Sequence, residues 1–548
     1  MPDSGGGDLA VIIPTRDRWP IVRRTLDALK GQSAGGFEVI VVVDGLDQQV
    51  PDLGDARVIE TEHGGPGGAR NLGARSTNRP LVLFLGDDMI PDPDLVALHL
   101  DAHKRNLEPE VAVLGHVALH GETKRNRLNR WMDWSGSQFD YRGITGSEAG
   151  FGRFYSCNVS VKREFFLEAE GFDPDFVYYY EDLDCGWRLG QRGMRLIYEP
   201  RAVARHLHPL RWKDVVGRFR GVARGERAMA AKHDWFEPFF RQRVERALRG
   251  RDPGRIWPRI VDHLPTSGAR RAAQRKANTW FYRKLGPHFL DAWAGEGDLD
   301  ELKEYLGDRY DEARLRNHEA EVRRELASVG DEDEFYRSGE AYLYDLTVFA
   351  LSGTKVPYRE QLELLVPRGA RLLDWGCGIG SDGLRLIDRG YDVSFADFDN
   401  PSTEYLRWRL KKRGIDSAVY DIERDNIATD FDAVYAFDVI EHVRDPFAFL
   451  SELETHAGIV MVNLLEDEPH PTHPHRSLPI DEILDHAARR GIHTYRRYYG
   501  RSHLVAYRGA AAPQPLAGRL LSPVLRRFGP SLPPVPARMR SRLRTLSR

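Results

Sequence analysis

At 548 residues the chain exceeds the roughly 250–300 residues at which a single core stops growing, so two or more domains are expected. A composition of 41% hydrophobic and 29% charged residues is that of folded soluble protein, and a formal charge of -3 argues against a dominant nucleic-acid surface, because such surfaces carry a strong basic excess. Small molecules or glycans suit that balance better as partners, and the scattered cysteines Cys157, Cys185 and Cys377 lack metal-type spacing, which predicts free thiols in a reducing, cytoplasmic compartment.

The opening stretch MPDSGGGDLAVIIPT has neither the basic region nor the apolar core of a signal peptide, and no run approaches the roughly 18 apolar residues of a membrane helix. From Leu9 to about His208, short apolar runs alternate with amphipathic ones: LAVIIP, WPIVRRTLDALKG, FEVIVVVDG, ARVIETE, GGARNLGARS, PLVLFLGDD. Buried strands alternating with helices predict a layered α/β sheet covered on both faces. Ligands in such sheets sit outside the carboxyl ends of the strands, where Asp44, Asp87 and Asp88 fall.

Other residues gather around those ends. GGPGGARN is a flexible loop entering a helix with Arg70 in its first turns; glycines let backbone N–H groups approach a phosphate, and an arginine adds a bidentate contact. YYYEDLDCGWRLGQRG reads as a helix with an acidic first turn, packed through Leu183, Trp187 and Leu189. In AVARHLHP the alternation puts His206 and His208 on one strand face.

In this order PTRDR, Asp44, ARNLG, LFLGDDMIPDPDL and YYYEDLDCGWRLGQRGMRLIYEPRAVARHLHP resemble a family 2 glycosyltransferase of the GT-A fold, over residues 8–210. The resemblance implies a nucleotide-sugar donor whose base and ribose meet Pro14, Thr15, Arg16 and Asp44, with Arg70 on the diphosphate side. It implies a divalent cation, Mg²⁺ or Mn²⁺, on Asp88, with Asp87 nearer the sugar or ribose. Such an ion, held by hard oxygen ligands, offsets the charge that a departing nucleoside diphosphate develops. The family often has acid-x-acid here; Gly86 stands in the first acid's place, so the metal contact rests on Asp88 and on an imidazole, His206 in preference to His208. Asp182 is the implied base that takes the acceptor hydroxyl's proton, Glu181 supports it, and in-line displacement predicts inversion.

Residues 211–357 change to long charged helical stretches without strand alternation, a helical connector or subdomain. Residues 358–508 form a second alternating series. In LLDWGCGIGSDG the glycines satisfy either a dinucleotide fingerprint or acid-x-G-x-G-x-G, and Asp397 after the next strand suits a ribose in both cases. With VYDIERD and FDAVYAFDVIEHVRDP following, this stretch resembles class I S-adenosylmethionine-dependent methyltransferases. That places Asp374, Gly376, Gly378 and Gly380 near the methionine part, Asp397 on the ribose, and Asp421 with Ile422 at the adenine. His442 is a candidate base for a hydroxyl acceptor; EPHPTHPHR, with His470, His473 and His475, reads as a metal cluster or an acceptor loop. The Pro- and Arg-rich tail, 509–548, is expected to be a poorly packed end, the alternative being peripheral contact with an anionic inner membrane face.

The expectation is a bifunctional cytoplasmic enzyme: sugar transfer to a glycan or lipid-linked acceptor, and methylation of the product, O-methylation by preference, in surface polysaccharide synthesis. One rival is tailoring of a small natural product or peptide. Another, motivated by Gly86, is a noncatalytic glycan-binding first domain beside an active methyltransferase. The oligomeric state is left open.

Overall fold

The computed structural model describes residues 6–45, 49–177, 179–264, 266–330, 332–466 and 476–510. His470, His473, His475 and nearly all of the basic tail lie outside the described residues. The chain forms two compact units that divide between Trp293 and Ala294, inside the helix Ser267–Leu306. No helix among the described residues is long and apolar enough to cross a membrane.

The first unit runs β1 (Leu9–Thr15), α1 (Trp19–Lys30), β2 (Glu38–Asp44), β3 (Arg57–Thr61), α2 (Gly65–Arg75), β4 (Leu81–Leu85), β5 (Met89–Pro91), α3 (Leu95–Arg105), β6 (Val111–Leu119), α4 (Arg127–Ser135), β7 (Asn158–Lys162), α5 (Arg163–Glu168), α6 (Glu181–Gln191), β8 (Arg195–His206), α7 (Trp212–Lys232) and α8 (Phe239–Arg249). Its eight-stranded sheet has the order β3-β2-β1-β4-β7-β6-β8-β5. β1 pairs in parallel with β2 and β4, whereas β4 and β6 flank β7 in antiparallel pairing.

Every residue of β1 is buried, as a strand covered on both faces requires. Alternation divides it: Leu9, Val11 and Ile13 pack with Val22, Leu26 and Leu29 of α1, while Ala10 and Ile12 face Ala69 and Ala74 of α2. Gly73 makes the second contact possible, since a Cβ there would lie 2.5 Å from Ile12 Cγ2. The strand order reverses between β1 and β4, which opens a crevice at their carboxyl ends.

The second unit carries a seven-stranded sheet of β9 (Arg371–Trp375), β10 (Asp392–Asp397), β11 (Val419–Asp421), β12 (Phe431–Ala436), β13 (Ala457–Leu465), β14 (Ile492–Tyr498) and β15 (Ser502–Arg508). The order is β11-β10-β9-β12-β13-β15-β14, parallel except that β15 runs antiparallel to both neighbours. Here the reversal lies between β9 and β12.

A buried ionic cluster fastens the helices of this unit. Asp298, 1% exposed, accepts from Ser381 Oγ at 2.9 Å and pairs with Arg385, Arg409 and Arg413, while Glu301 receives Arg409 Nε and Arg413 Nε at 2.8 Å each. Burial by itself would raise the Asp298 carboxyl, but the three guanidinium groups hold it below its usual range. Removing one partner of such a cluster strands buried charge, so Asp298→Ala is expected to cost about 3–5 kcal/mol in denaturant unfolding. Since the folded value is lowered, this stabilisation is present above the ordinary carboxylate range and is lost as pH falls through the folded value. A denaturant unfolding curve matching that of the unsubstituted chain would contradict the assignment.

Candidate active sites

In the first unit the ends of β1, β2, β4 and β8 and the start of α6 converge on a cleft of about 970 Å³. The turn after β4 is its floor. Thr15 Oγ1 donates to Asp87 Oδ2 at 2.7 Å, and Arg18 spans both acids, Nη1 donating to Asp87 Oδ1 and Nη2 to Asp88 Oδ2 at 2.8 Å each. Thr25 Oγ1 donates to the Asp87 carbonyl at 2.7 Å, fixing the turn from beneath. A Cβ at Gly86 would lie 3.1 Å from Met89 Cγ and 3.3 Å from Asp88 Oδ1, so a side chain there would require both neighbours to give by a few tenths of an ångström.

The two adjacent acids have different electrostatics. Burial, then the Asp88 charge, pushes Asp87 up to about 6 despite Arg18. Burial would raise Asp88 as well, but His206, His208 and Arg18 together hold it well below the usual range. Asp88 Oδ2 stands 3.4 Å from His206 Nε2 and 3.3 Å from His208 Nδ1. One ligand atom from each of these three residues lies within 4.8 Å of the others. β5 pairing with β8 sets this up: Met89 lies opposite His206, and Leu207 N–H donates to the Asp88 carbonyl at 2.8 Å. Both histidines therefore reach Asp88, rather than His206 alone.

α6 brings the other acids. It starts from two consecutive left-handed residues, Tyr179 at φ 57° and Tyr180 at φ 73°, a conformation that costs energy in a non-glycine residue and tends to persist where function needs it. Asp182 Oδ2 accepts from Ser156 N–H at 3.1 Å, and its buried Oδ1 has no hydrogen-bond partner. Burial raises Asp182, and burial with the Asp182 charge pushes Glu181 up to about 7. Arg70 Nη1 is 3.7 Å from Glu181 Oε1, and neither Arg70 Nη1 nor Arg70 Nε has a hydrogen-bond partner although both are buried. Asp44, at the end of β2, accepts from Gly64 N–H at 2.8 Å and meets His63 Nδ1 at 2.9 Å.

In the second unit Asp374 ends β9 before a glycine turn. Its Oδ2 accepts from Gly383 N–H at 3.1 Å, and burial, then Asp382, pushes it up to about 8. Gly376 and Gly380 both have φ 70°, and a Cβ on either would collide with Val439 or Leu406 at 2.5 and 2.3 Å; Gly378, at φ 51°, is similarly tight against Leu346. Asp397 accepts from Gly378 N–H at 2.7 Å and Phe398 N–H at 2.8 Å, and burial pushes it up to about 6. Ile422 N–H donates to the Asp397 carbonyl at 3.0 Å, tying β11's end to β10's, while Asp421 Oδ1 accepts from Glu423 N–H at 3.0 Å. His442 Nδ1 meets Tyr336 Oη at 2.9 Å. Beside it Glu441, 1% exposed, has no hydrogen-bond partner on either oxygen, and burial, then Asp438, pushes it up to about 8.

Residues 10–166 match the family model described as glycosyl transferase family 2, and residues 373–458 match one described as a methyltransferase domain. The chain carries a family 2 glycosyltransferase domain and a methyltransferase domain. A pre-mycofactocin glycosyltransferase of Mycobacterium tuberculosis is 28% identical over 254 residues, covering 42% of this chain and 50% of that protein. A glucosyl-dolichyl phosphate glucuronosyltransferase of Haloferax volcanii is 26% identical, covering 35% of this chain and 65% of that one. The chain thus spans about half to two thirds of the length of these curated relatives. Among solved structures, a mannosyltransferase from Pyrobaculum calidifontis in complex with GDP-Man and Mn²⁺ aligns with a TM-score of 0.34 and 19% identity, covering 55% of this chain and 88% of that one.

In the glycosyltransferase domain, Pro14, Thr15, Arg16, Asp44, Arg70, Asp87, Asp88, Glu181, Asp182 and His206 all line the one cleft. Sequence reading missed Arg18, whose partners lie 69 and 70 residues away, and Arg218, Phe239 and Arg243, which α7 and α8 contribute to the same cleft. In the methyltransferase domain, Asp374, the three glycines and Asp397 share a hydrogen-bonded turn. Nothing in VIEHV marks Glu441; the burial of its carboxylate without a hydrogen-bond partner is a property of the fold.

Proposed function

We propose a bifunctional enzyme in which the first unit transfers a sugar from a nucleotide-sugar to a hydroxyl acceptor with inversion, and the second methylates oxygen on the product with S-adenosylmethionine. The observation that carries the first half is the convergence of five element ends on one cleft, where a buried Asp182 oxygen has no partner. An acceptor hydroxyl supplies the missing donor; Asp182 then holds its proton as the oxygen attacks the anomeric carbon and the nucleoside diphosphate leaves from the opposite face. Ser156 N–H keeps the carboxylate aimed, and Arg70 brings unspent donors to an anionic leaving group.

One carboxylate oxygen and two imidazoles would hold Mn²⁺ more readily than the harder, oxygen-seeking Mg²⁺ on Asp88, His206 and His208, with Arg18 yielding its hold on Asp88 Oδ2. When bound, the ion would neutralise charge on the departing diphosphate. For the second half, the Asp397 carboxylate retains lone pairs for a ribose, and the unpartnered Glu441 suits a cationic ligand. S-adenosylmethionine would supply the methyl group there, and alignment of donor and acceptor accounts for most of the acceleration.

A polysaccharide or lipid-linked acceptor is our first reading, in keeping with the dolichyl phosphate relative. The relative named for pre-mycofactocin favours the second, a small natural product or peptide. Mass spectrometry of products separates them: a methylated glycan supports the first, and a glycosylated, methylated small molecule the second. For the cofactor site, calorimetry is expected to show Asp397→Ala weakening S-adenosylmethionine by about 10-fold or more. Unchanged affinity would remove Asp397 from the ribose.

A further inference from the structure

Two helices beyond the strand-alternating region build one wall of the glycosyltransferase cleft. Tyr180 Oη donates to Glu226 Oε1 of α7 at 3.0 Å, and the same buried carboxylate accepts from Phe240 and Arg241 N–H, at 2.8 and 2.9 Å, at the start of α8. Gly221 of α7 leaves room for the Tyr179 ring, since a Cβ there would lie 2.4 Å from Tyr179 Cε2. The turn that carries Glu181 and Asp182 is therefore anchored to α7 and α8.

From that wall two arginines line the cleft. The Arg218 guanidinium sits 5.0 Å from the centre of the Tyr179 ring, and its buried Nε has no hydrogen-bond partner. Arg243 lies 5.3 Å from the Phe239 ring centre and donates to Tyr282 Oη at 3.3 Å. Neither pairs with a carboxylate within ion-pair distance among the described residues. Only Arg218 carries a desolvated, unused N–H, which is costly unless an anion completes it; Arg243 is exposed at the mouth of the cleft, and its planar fork matches phosphate without that cost. The cation site of Asp88, His206 and His208 belongs to other elements, as do Arg18 and Arg70. Arg218 and Arg243 instead adjoin the turn that carries the base.

We propose that the acceptor bears a phosphoryl group, gripped by Arg218 and Arg243 beside the rings of Tyr179 and Phe239. This rests on the sugar-transfer reading of the same cleft, and it narrows the acceptor from any hydroxyl compound to an anionic one. Either a lipid phosphate or a sugar phosphate would supply the chemistry.

The test is calorimetry on the full chain saturated with a nucleoside diphosphate and Mn²⁺, titrated with octyl phosphate, glucose 1-phosphate and, as the neutral control, octyl glucoside. At least one phosphate is expected to bind better than the control. The Arg218→Ala/Arg243→Ala double variant is expected to lose about 10- to 100-fold of that affinity, with nucleoside diphosphate binding within about twofold of the original. Should the alanine variant misfold, Arg218→Gln with Arg243→Gln keeps the stems packed and is read in the same assay. Tight octyl phosphate binding indicates a lipid phosphate, and tight glucose 1-phosphate binding a sugar phosphate. Phosphates binding no better than octyl glucoside, or an unaffected double variant, overturn the proposal. So does an equal loss of nucleoside diphosphate affinity, which would assign the arginines to the donor. Donor hydrolysis by Asp182→Asn, run in parallel, reports on the sugar-transfer reading separately: hydrolysis unchanged from the original would sink that reading whatever the phosphates do.

Discussion

Asp182→Asn is expected to lower sugar transfer by about 10²–10⁴-fold, the range of a positioned general base, with nucleoside diphosphate affinity little changed. Asparagine keeps the shape and can still accept from Ser156 N–H, so what is removed is basicity. The pH profile carries a second signature. Burial raises Asp182, and Glu181 beside it is pushed up to about 7. The two adjacent carboxylates repel each other, so their protonation is linked and both contribute to one raised acid limb. The rate falls as Asp182 protonates, on a limb displaced upward from the ordinary aspartate range. An Asp182→Asn enzyme as fast as the original would place the base elsewhere.

Asp88→Ala should have a comparable or larger effect. Asp88 Oδ2 is the point at which His206, His208 and Arg18 meet, so its loss removes the anionic member of the proposed cation site. A metal acting on a leaving group contributes several kcal/mol, and at about 1.4 kcal/mol per tenfold this predicts a rate loss of at least about 10³-fold. Added Mn²⁺ should no longer accelerate the residual reaction. His206→Ala with His208→Ala should keep partial activity and need more Mn²⁺ for its maximum. A full Mn²⁺ response in Asp88→Ala, measured as transfer rate against ion concentration, would move the cation to other ligands.

Much of the site was legible because it sits at strand ends. Runs such as VLFL are buried from both faces, so the acids that follow them must emerge at the crevice, and Asp44, Asp87 and Asp88 do. The alternation in AVARHLHP likewise put both histidines on one face, but it took the pairing of β5 with β8 to show that both reach Asp88. Gly86 could be read only as a departure from acid-x-acid; the close approach of Met89 and Asp88 is a property of the folded turn. Arg18 was opaque because its partners are distant in sequence, and the left-handed Tyr179-Tyr180 pair because nothing in two tyrosines signals positive φ. Arg218 and Arg243 lay in a stretch read only as charged helix; their position in the cleft follows from the packing of α7 through Gly221 and Glu226. In the methyltransferase domain the glycine spacing sufficed, because only residues without Cβ fit against Val439, Leu346 and Leu406.

One chain is proposed to hold two independent donor sites. A calorimetric panel on the full chain, nucleoside diphosphate with Mn²⁺ followed by S-adenosylmethionine and then the reverse order, tests this most directly. One equivalent of each ligand is expected to bind, neither displacing the other, with Asp88→Ala abolishing the Mn²⁺-dependent nucleotide binding alone and Asp397→Ala weakening S-adenosylmethionine alone. Failure of either ligand to bind, or competition between them for one site, would contradict the two-site proposal.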